Sequence, residues 1–321
     1  MGRRTSPVGR AASPVHMHWR RRLTVLAFMS PAIAGFCVFF VYPLIATVYF
    51  SFQSYDLLSP PRFIGLANYD YLLHDDPQVG QAIRNTLWLV AVMVPAKILF
   101  ALFVSQVLIS VKRGKTLFRS LFYLPALAPP VAATLMFVFL LNPSTGPVNE
   151  ALRWVGIEGP LWFSDPDWSK PGLVFLALWG VGDVMIIVLA ALLNVPREQY
   201  EAASLDGAGP VAKWWYITLP TIAPVMTFAA VTGVIATLQY FTEPAVAAQA
   251  ASGQATVGGG VGGLLGYPLG STLTFPQWLY VQGFTDYYLG YASVLALVLF
   301  GVALLFVLIL LRQFRDTIKA R

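Results

Sequence analysis

Long runs of apolar side chains, separated by shorter polar connections, dominate the pattern of this chain. A helix that rises ~1.5 Å per residue needs ~20 mostly apolar residues to cross the hydrocarbon core of a bilayer. Six runs reach that length, at residues 23–50, 86–109, 117–141, 173–193, 222–241 and 289–311. The pattern therefore predicts an all-α integral membrane protein with six transmembrane helices.

The composition excludes a soluble globular protein and a disordered chain. Hydrophobic residues make up 57% of the 321 residues and charged residues 11%, whereas soluble domains carry ~25% charged residues. So few charges could not cover a soluble core, and disordered chains are far less apolar. The single cysteine, Cys37, excludes an internal disulfide and a metal site of several cysteines. The three histidines lie outside the apolar runs and suggest no metal site.

The basic residues predict the orientation of the chain. Sixteen of the 21 lie in the N-terminal tail, the second-to-third connection, the fourth-to-fifth connection and the C-terminal tail. These segments share one side of the membrane, which the positive-inside rule makes cytoplasmic. We expect residues 1–22 and 312–321 to be cytoplasmic basic tails around a six-span domain at 23–311. The positive charge then borders anionic membrane lipid and requires no nucleic acid partner.

The last outward connection, residues 242–288, differs from the other loops in composition. Its stretch 245–263 reads AVAAQAASGQATVGGGVGG and consists mostly of small residues. Small residues pack little and bend freely, so we expect a flexible, glycine-rich insertion with no role of its own. The alternative is a contact surface for a partner outside the membrane.

The cytoplasmic connection at 194–220 combines few charges with clear helix and turn signals. Pro196 is expected to interrupt the fourth span, because the residue before a proline disfavours helix. A short helix follows, and the glycine-containing turn at 206–210 ends it. A second short helix is predicted to end at Leu219-Pro220, where the fifth span begins. Such a helix–turn–helix at a membrane surface usually contacts another protein.

The residues of this connection resemble a known motif. Glu201-Ala202-Ala203, then Gly207, then Ile217 with Leu219-Pro220 match the EAA loop, E-A-A-x3-G-x9-I-x-L-P, without a gap. That loop marks the permease subunits of binding-protein-dependent ABC importers. Further segments are similar to the carbohydrate-uptake branch, the maltose and glycerol-3-phosphate permease type. They include FIGLANY at 63–69, WFSDP at 162–166 and GYAS at 290–293.

The resemblance implies a type I ABC importer permease fold, in which the EAA loop is a cytoplasmic coupling helix that docks on an ATPase subunit. Glu201 would make the charged contact, Ala202 and Ala203 would permit close approach, and Gly207 would form the turn. Ile217, Leu219 and Pro220 complete the expected ATPase-coupling set. Alternatively, Glu201 only caps or solvates a surface helix.

The resemblance also implies partners and a location. A working unit would contain a second, paralogous permease chain, two ATP-binding subunits and an extracytoplasmic solute-binding protein, in a bacterial cell membrane. Gly114-Lys115-Thr116 resembles part of a phosphate-binding loop, but position 109 is Ile where another glycine is needed, and no strand precedes it. We therefore expect no enzymatic activity and no bound cofactor in this chain, with ATP and Mg²⁺ on the partner ATPase.

Polar residues at membrane depth are candidates for a substrate pathway, because exposing them to lipid is costly. Gly233, Thr237 and Tyr240 share one helix face of the fifth span, since they recur at i, i+4 and i+7. Hydroxyls of a sugar need polar partners, and its C–H faces stack on aromatic rings. In the maltose-type permease, the positions that match Trp179, Gly180, Gly233, Thr237 and Tyr240 of this chain line the sugar site. The candidate set is Trp179, Gly180, Asp183, Gly233, Thr237, Gln239 and Tyr240.

Two alternatives remain open for these residues. The first is ordinary helix packing, particularly for Gly180 and Gly233, because small residues let helices approach. The second is a secondary, ion-coupled transporter in which Asp183 and Lys97 relay a proton or ion. These two charges could also form a structural ion pair, but the sequence does not place them close together. The sequence leaves the identity of the solute open.

Overall fold

The computed structural model describes residues 14–253 and 264–319, and helices form nearly all of their regular structure. In that part of the chain, two short strands, β1 and β2, pair antiparallel, with Gln53 opposite Phe63. Single π-helical or 3-10 turns link or extend several helices, at Cys37–Val41, Tyr71–Asp75, Leu124–Leu127, Trp162–Ser164, Trp214–Thr218 and Val281–Thr285. The elements are α1 Pro14–Phe36, α2 Tyr42–Ser51, β1 Gln53–Ser54, β2 Arg62–Phe63, α3 Ala67–Asp70, α4 Val79–Ser110, α5 Lys115–Tyr123, α6 Pro130–Leu140, α7 Pro147–Trp154, α8 Pro166–Trp179, α9 Gly182–Leu193, α10 Arg197–Leu205, α11 Pro210–Lys213, α12 Leu219–Leu238, α13 Thr242–Ser252, α14 Phe275–Tyr280 and α15 Leu289–Lys319.

The described residues contain six apolar segments of membrane length when each bent pair of helices counts as one. Four segments are continuous helices, at Thr24–Ser51, Val79–Ser110, Pro210–Leu238 and Leu289–Ile309. The other two are Lys115–Leu127 with Pro130–Leu140, bent by 99°, and Pro166–Trp179 with Gly182–Leu193, bent by 51°. The prediction of an all-α membrane fold is confirmed.

The third span is not the single helix that the apolar run at 117–141 predicts. It breaks at Ala128 and Pro129, whose ψ angles of 135° and 132° are extended rather than helical. The cause is the pair Pro129-Pro130, since neither proline has an N–H to donate and each restricts the residue before it. The third span therefore consists of two helices that meet at a bend of 99°.

Helix α4 lies at the centre of the packing and contacts α8, α9 and α12. One buried cluster surrounds Leu102 and includes Met185 and Ile222. A second surrounds Leu89 and includes Phe137 and Leu173. Within a membrane such clusters stabilise the fold through close packing rather than through removal of apolar surface from water. Along α4, the buried residues of the second cluster end at Met93 and those of the first begin at Ala101.

The first span packs little against the rest of the chain. In its segment Thr24–Ser51, none of the most apolar stretch is buried inside the protein. Its second half, α2, contacts α15, the last span. Large apolar side chains such as Phe28, 83% exposed, and Phe39, 74% exposed, therefore face away from this chain.

The small-residue insertion is ordered over its first half, contrary to the prediction of a flexible segment. Helix α13 (Thr242–Ser252) packs against α6 and buries Ala245, Ala247 and Ala248. Alanine is the strongest helix former, and its small side chain lets two helices approach closely. The remainder, residues 254–263, lies outside the described residues.

Two polar side chains near the start of α4 hold the segment that precedes α14. Asn85, 2% exposed, donates from Nδ2 to the Gly270 and Leu273 carbonyl oxygens, at 2.8 and 3.0 Å. The hydroxyl of Thr86 accepts the Phe275 N–H at 2.8 Å. These bonds give side-chain partners to backbone groups of the segment. They fix its position over the N-terminal end of α4.

Candidate functional site

The first candidate site is the EAA loop, which begins with helix α10. Pro196, with φ −61° and ψ 128°, separates α10 from the preceding helix α9. No residue of α10 is buried. Glu201 and Ala202 are exposed and Ala203 is half-buried. The predicted contact residues of this helix therefore lie on an open surface of the chain.

A tight turn ends α10 at Gly207, as the sequence predicts. Gly207 has φ +77°, a left-handed conformation that glycine adopts without steric cost. The Ala208 N–H donates to the Ala203 carbonyl at 2.8 Å, and the Gly207 N–H donates to the Ser204 carbonyl at 3.2 Å. This Schellman arrangement satisfies carbonyls that the end of a helix leaves unpaired.

Two side-chain hydrogen bonds connect α10 to the helix that follows it. The hydroxyls of Tyr200 and Thr218 are 2.6 Å apart. Lys213 donates from Nζ to the Ser204 hydroxyl, also at 2.6 Å. Thr218 is 5% exposed, and Tyr200 packs against the core cluster around Leu102. The exposed helix is thus attached at its rear to the interior of the protein.

The second half of the EAA loop differs from the prediction. The sequence predicts a helix end at Leu219-Pro220, but Pro210–Leu238 is one continuous helical segment. A π-helical turn at Trp214–Thr218 accommodates the proline: the Leu219 N–H bonds to the Trp214 carbonyl, five residues back. Pro220 has no N–H that a regular helix could use. The loop therefore continues directly into the fifth span.

The motif residues divide between an exposed and an interior set. Ile217, Leu219 and Pro220 are half-buried in the continuous helix, and Ile217 packs against the core cluster around Leu102. Glu201 instead shares the open surface with exposed apolar side chains such as Leu205, 91% exposed, and Tyr216. A carboxylate beside exposed apolar groups is typical of a protein contact surface.

The second candidate site is a cavity of about 490 Å³ in the part of the chain that the structure describes. All seven residues of the predicted substrate pathway line it: Trp179, Gly180, Asp183, Gly233, Thr237, Gln239 and Tyr240. The sequence thus predicts which residues come together. Their role in transport stays a prediction.

The cavity wall includes the bends of the third and fourth spans. Pro125, Ala128 and Pro130 line it from the third, and Trp179 and Gly180 from the fourth. Broken helices at membrane depth occur where the irregular backbone is buried or lines a cavity. The ring centroid of Trp179 lies 5.4 Å from that of Phe137, so the indole is held by a core residue while it borders the cavity.

The two cavity glycines have different surroundings. A Cβ on Gly233 would lie 3.2 Å from Cγ1 of Val94, so this glycine allows α12 to pack closely on α4. A Cβ on Gly180 would meet only the Ala177 carbonyl oxygen, at 3.8 Å. Packing therefore explains Gly233, whereas Gly180 leaves open space at the bend.

Among the described residues, three charged side chains line the cavity. Lys97 Nζ lies 4.0 Å from Asp183 Oδ1, and the two side chains are 27% and 61% exposed. Glu243, in the first turn of α13, is the third. Burial raises the pKa of the Glu243 carboxyl above its usual value, while a backbone hydrogen bond and the charge of Lys97 act against the rise. The ammonium group of Lys97 therefore interacts electrostatically with two carboxylates, those of Asp183 and Glu243.

Sequence reasoning assigned Glu243 to an outer loop and missed its place in the cavity. The helix of the fifth span ends at Leu238 and a new helix begins at Thr242, so no helical spacing in the sequence indicated this position. The proline-rich wall at Pro125 and Pro130 was also missed. Across the described residues, no three His, Cys, Asp or Glu side chains group as a metal site.

Known proteins share this sequence pattern and fold. Residues 97–317 match the family described as "Binding-protein-dependent transport system inner membrane component". The probable ABC transporter permease protein YesP of Bacillus subtilis (strain 168) is 35% identical over 288 residues, 89% of this chain and 88% of the relative. The arabinooligosaccharides transport system permease protein AraP of Halalkalibacterium halodurans is 33% identical over 286 residues, 87% of this chain and 84% of the relative.

A solved structure supports the fold independently. A bacterial ABC transporter involved in the import of the acidic polysaccharide alginate aligns with a TM-score of 0.76 at 25% identity. The alignment covers 95% of this chain and 99% of that chain. The type I ABC importer permease fold expected from the sequence is confirmed.

Proposed function

Because the chain belongs to the family of binding-protein-dependent transport system inner membrane components, we propose that it forms one half of the membrane pathway of an ATP-driven sugar importer. Its EAA loop faces the cytoplasm in this proposal and contacts a separate ATPase subunit. The other components are a second permease chain, a second ATPase subunit and an extracytoplasmic solute-binding protein.

The proposed sugar substrate has two lines of support. A relative is described as an arabinooligosaccharide permease, and a solved structure of the same fold as an alginate importer. The cavity of this chain also presents groups suited to a sugar: the rings of Trp179 and Tyr240, with Thr237 and Gln239 as hydrogen-bonding side chains. Aromatic faces stack on sugar C–H surfaces, while a few placed polar groups fix the orientation of a ligand.

The proposal of a second permease chain follows from the unpaired surfaces of this one. The cavity is bounded by α4, α12 and the two bent spans of a single chain and is partly open. The first span also presents its apolar side chains away from the chain. Lipid or a neighbouring permease would cover that span, and a paralogous permease would complete the pathway.

One observation carries the proposed coupling mechanism, namely the Tyr200–Thr218 hydrogen bond at 2.6 Å. It ties the exposed helix α10 to the segment Pro210–Leu238, and that segment carries Gly233 and Thr237 in the cavity wall. A displacement of α10 by an ATPase would therefore act on the cavity through one continuous helix. Helices of 29 residues transmit movement because their backbone bonds are internal.

Crosslinking tests the coupling proposal directly. In a Cys37→Ser background, Ala203→Cys places the only thiol on the α10 surface, and Phe39→Cys provides a control on the exposed first span. We expect Ala203→Cys to crosslink to the ATPase subunit with which the chain is purified, and Phe39→Cys to give no such product. Equal crosslinking from both positions, or none from Ala203→Cys in a complex active in transport, contradicts the proposal.

Transport measurements test the energy source. In proteoliposomes with the complete transporter, uptake should stop when ATP is withheld and continue when an ionophore collapses the proton gradient. Glu201→Lys should abolish uptake while leaving membrane insertion intact, because it reverses the charge on the proposed contact surface. The ion-coupled alternative predicts the opposite dependence, with uptake lost on addition of the ionophore.

A further inference from the structure

The charges of the cavity bear on the class of sugar, and the inference rests on the proposed function. Among the described residues that line the cavity, the charged side chains are Lys97, Asp183 and Glu243. Two carboxylates therefore face one ammonium group. The other polar side chains of the wall, such as Thr237 and Gln239, are neutral.

The single cation is already engaged. Lys97 Nζ lies 4.0 Å from Asp183 Oδ1, so the field of the ammonium group inside the cavity is reduced by its neighbour. Glu243 has no such partner within ion-pair distance in the described structure. An anionic ligand would thus meet an unpaired carboxylate without a free cation to compensate it.

Each of the two carboxylates lies at the N-terminal end of a helix. Asp183 lies in the first turn of α9, which has 12 residues, and Glu243 lies in the first turn of α13, which has 11. The N-terminal end of a helix carries a partial positive charge that stabilises a nearby anion. At Glu243 this effect acts against burial, which raises the pKa of the carboxyl.

We propose that Asp183 and Glu243 make this half of the pathway selective for uncharged sugars over acidic ones. Ionised carboxylates accept hydrogen bonds from sugar hydroxyls, which are neutral donors. They repel the carboxylate, sulfate or phosphate group of an acidic sugar. The rings of Trp179 and Tyr240 supply the apolar faces for stacking in the same cavity.

The proposal separates this chain from its structural neighbour. That neighbour is described as an importer of the acidic polysaccharide alginate. Two proteins with the same fold can prefer ligands of different charge, because specificity depends on the side chains of the site. The fold likeness alone would suggest an acidic sugar, whereas the excess of carboxylates in this cavity points to a neutral one.

Direct binding measurements test the charge selection. The complete transporter in lipid nanodiscs, without solute-binding protein, would be titrated with maltotriose, arabinotriose and trigalacturonic acid, which share the same length. We expect at least one neutral trisaccharide to bind with a Kd about tenfold or more below that of trigalacturonic acid. Raising the salt concentration should narrow the ratio, because screening weakens the repulsion.

Two variants and a control locate the effect. Glu243→Gln and Asp183→Asn keep the side-chain shape and remove the charge, so each should reduce the neutral-to-acidic ratio by about threefold or more. Asp56→Asn changes a half-buried carboxylate outside the cavity and should leave the ratio unchanged. Salt titration of the unmodified protein provides an independent measurement where a variant is poorly expressed.

The outcomes distinguish a failure of the charge selection from a failure of the proposed function. Equal or tighter binding of trigalacturonic acid by the unmodified protein overturns the charge selection and leaves the sugar-importer proposal standing, provided that a neutral sugar binds. A ratio that neither cavity variant alters also overturns it. Absence of binding by every sugar contradicts the proposed function and the charge selection together.

Discussion

Lys97 Nζ and Asp183 Oδ1 face each other at 4.0 Å between helices α4 and α9. The sequence leaves open whether these two charges meet, because each lies in a different apolar run. Their side chains are 27% and 61% exposed, and the distance is at the outer limit of an ion pair. The pair therefore borders the cavity with solvent access, unlike a fully buried salt bridge.

A double-mutant cycle should find weak coupling between these two residues. Exposed ion pairs contribute ~0.2–1 kcal/mol, so Lys97→Gln and Asp183→Asn should lower thermal stability nearly additively, with a coupling energy below about 1 kcal/mol. Thermal unfolding of the four proteins in detergent measures it. A coupling of about 3 kcal/mol or more is typical of a buried pair and would contradict this geometry.

The bend of the fourth span contains a matched pair of glycines for a packing test. A Cβ on Gly182 would lie 2.5 Å from the Phe122 carbonyl oxygen and 2.7 Å from Tyr123 Cα, both rigid backbone atoms. Overpacking of this kind costs ~1–3 kcal/mol, so Gly182→Ala should lower the melting temperature by several degrees. Gly180→Ala, with nothing nearer than 3.8 Å, should leave it nearly unchanged.

The same two substitutions test whether Gly180 serves the cavity while Gly182 serves packing at the bend. If Gly180 keeps open space in the cavity, Gly180→Ala should weaken solute uptake without a change in stability. A loss of stability in Gly180→Ala equal to that in Gly182→Ala would show that the bend packs differently from the structure.

The sequence predicts the apolar runs and the shared cavity face well, because both depend on local periodicity. Gly233 and Thr237 line the cavity because α12 is regular over that stretch, and Tyr240 follows just after the helix ends at Leu238. The bend of the third span could not be derived in the same way. Pro95 and Pro224 lie inside continuous helices, whereas the pair at 129–130 breaks one, and tertiary contacts decide which outcome occurs.

The placement of Glu243 shows the second limit of sequence reasoning. The small residues after it indicate a flexible loop by composition, yet residues 242–252 form a helix. The reason is a partner surface on α6, against which the alanines pack. A contact between segments more than 100 positions apart leaves no local periodicity to read.

The hydroxyl of Tyr200 should matter for coupling more than for folding. Tyr200→Phe removes the bond to Thr218, which at about 1 kcal/mol is a modest loss of stability. We expect ATP hydrolysis to continue while solute uptake per ATP falls severalfold, because α10 loses its attachment to the fifth span. Tyr42→Phe is the control, since Tyr42 lies on the first span, outside the EAA loop, and is 71% exposed. Unchanged uptake per ATP in Tyr200→Phe would argue against the proposed transmission route.

The turn at Gly207 should be the most sensitive backbone position of the EAA loop. Gly207 has φ +77° and open space around it, so an alanine there is disfavoured by conformation and not by contact. A left-handed conformation costs an L-residue about 1–2 kcal/mol. Gly207→Ala should therefore destabilise the end of α10 by about that amount. Gly209, with φ −73° and equally open surroundings, accepts alanine without strain and provides the matched control.

Hydrogen exchange and transport together test the turn. In Gly207→Ala, amides of α10 should exchange about tenfold faster or more, as the Ala208-to-Ala203 bond of 2.8 Å opens more often. Uptake should fall in parallel, because a frayed α10 presents Glu201 in no fixed position to the ATPase. Gly209→Ala should match the unmodified protein in both measurements. Equal effects of the two substitutions would mean that loop flexibility, and not the left-handed turn, is what coupling requires.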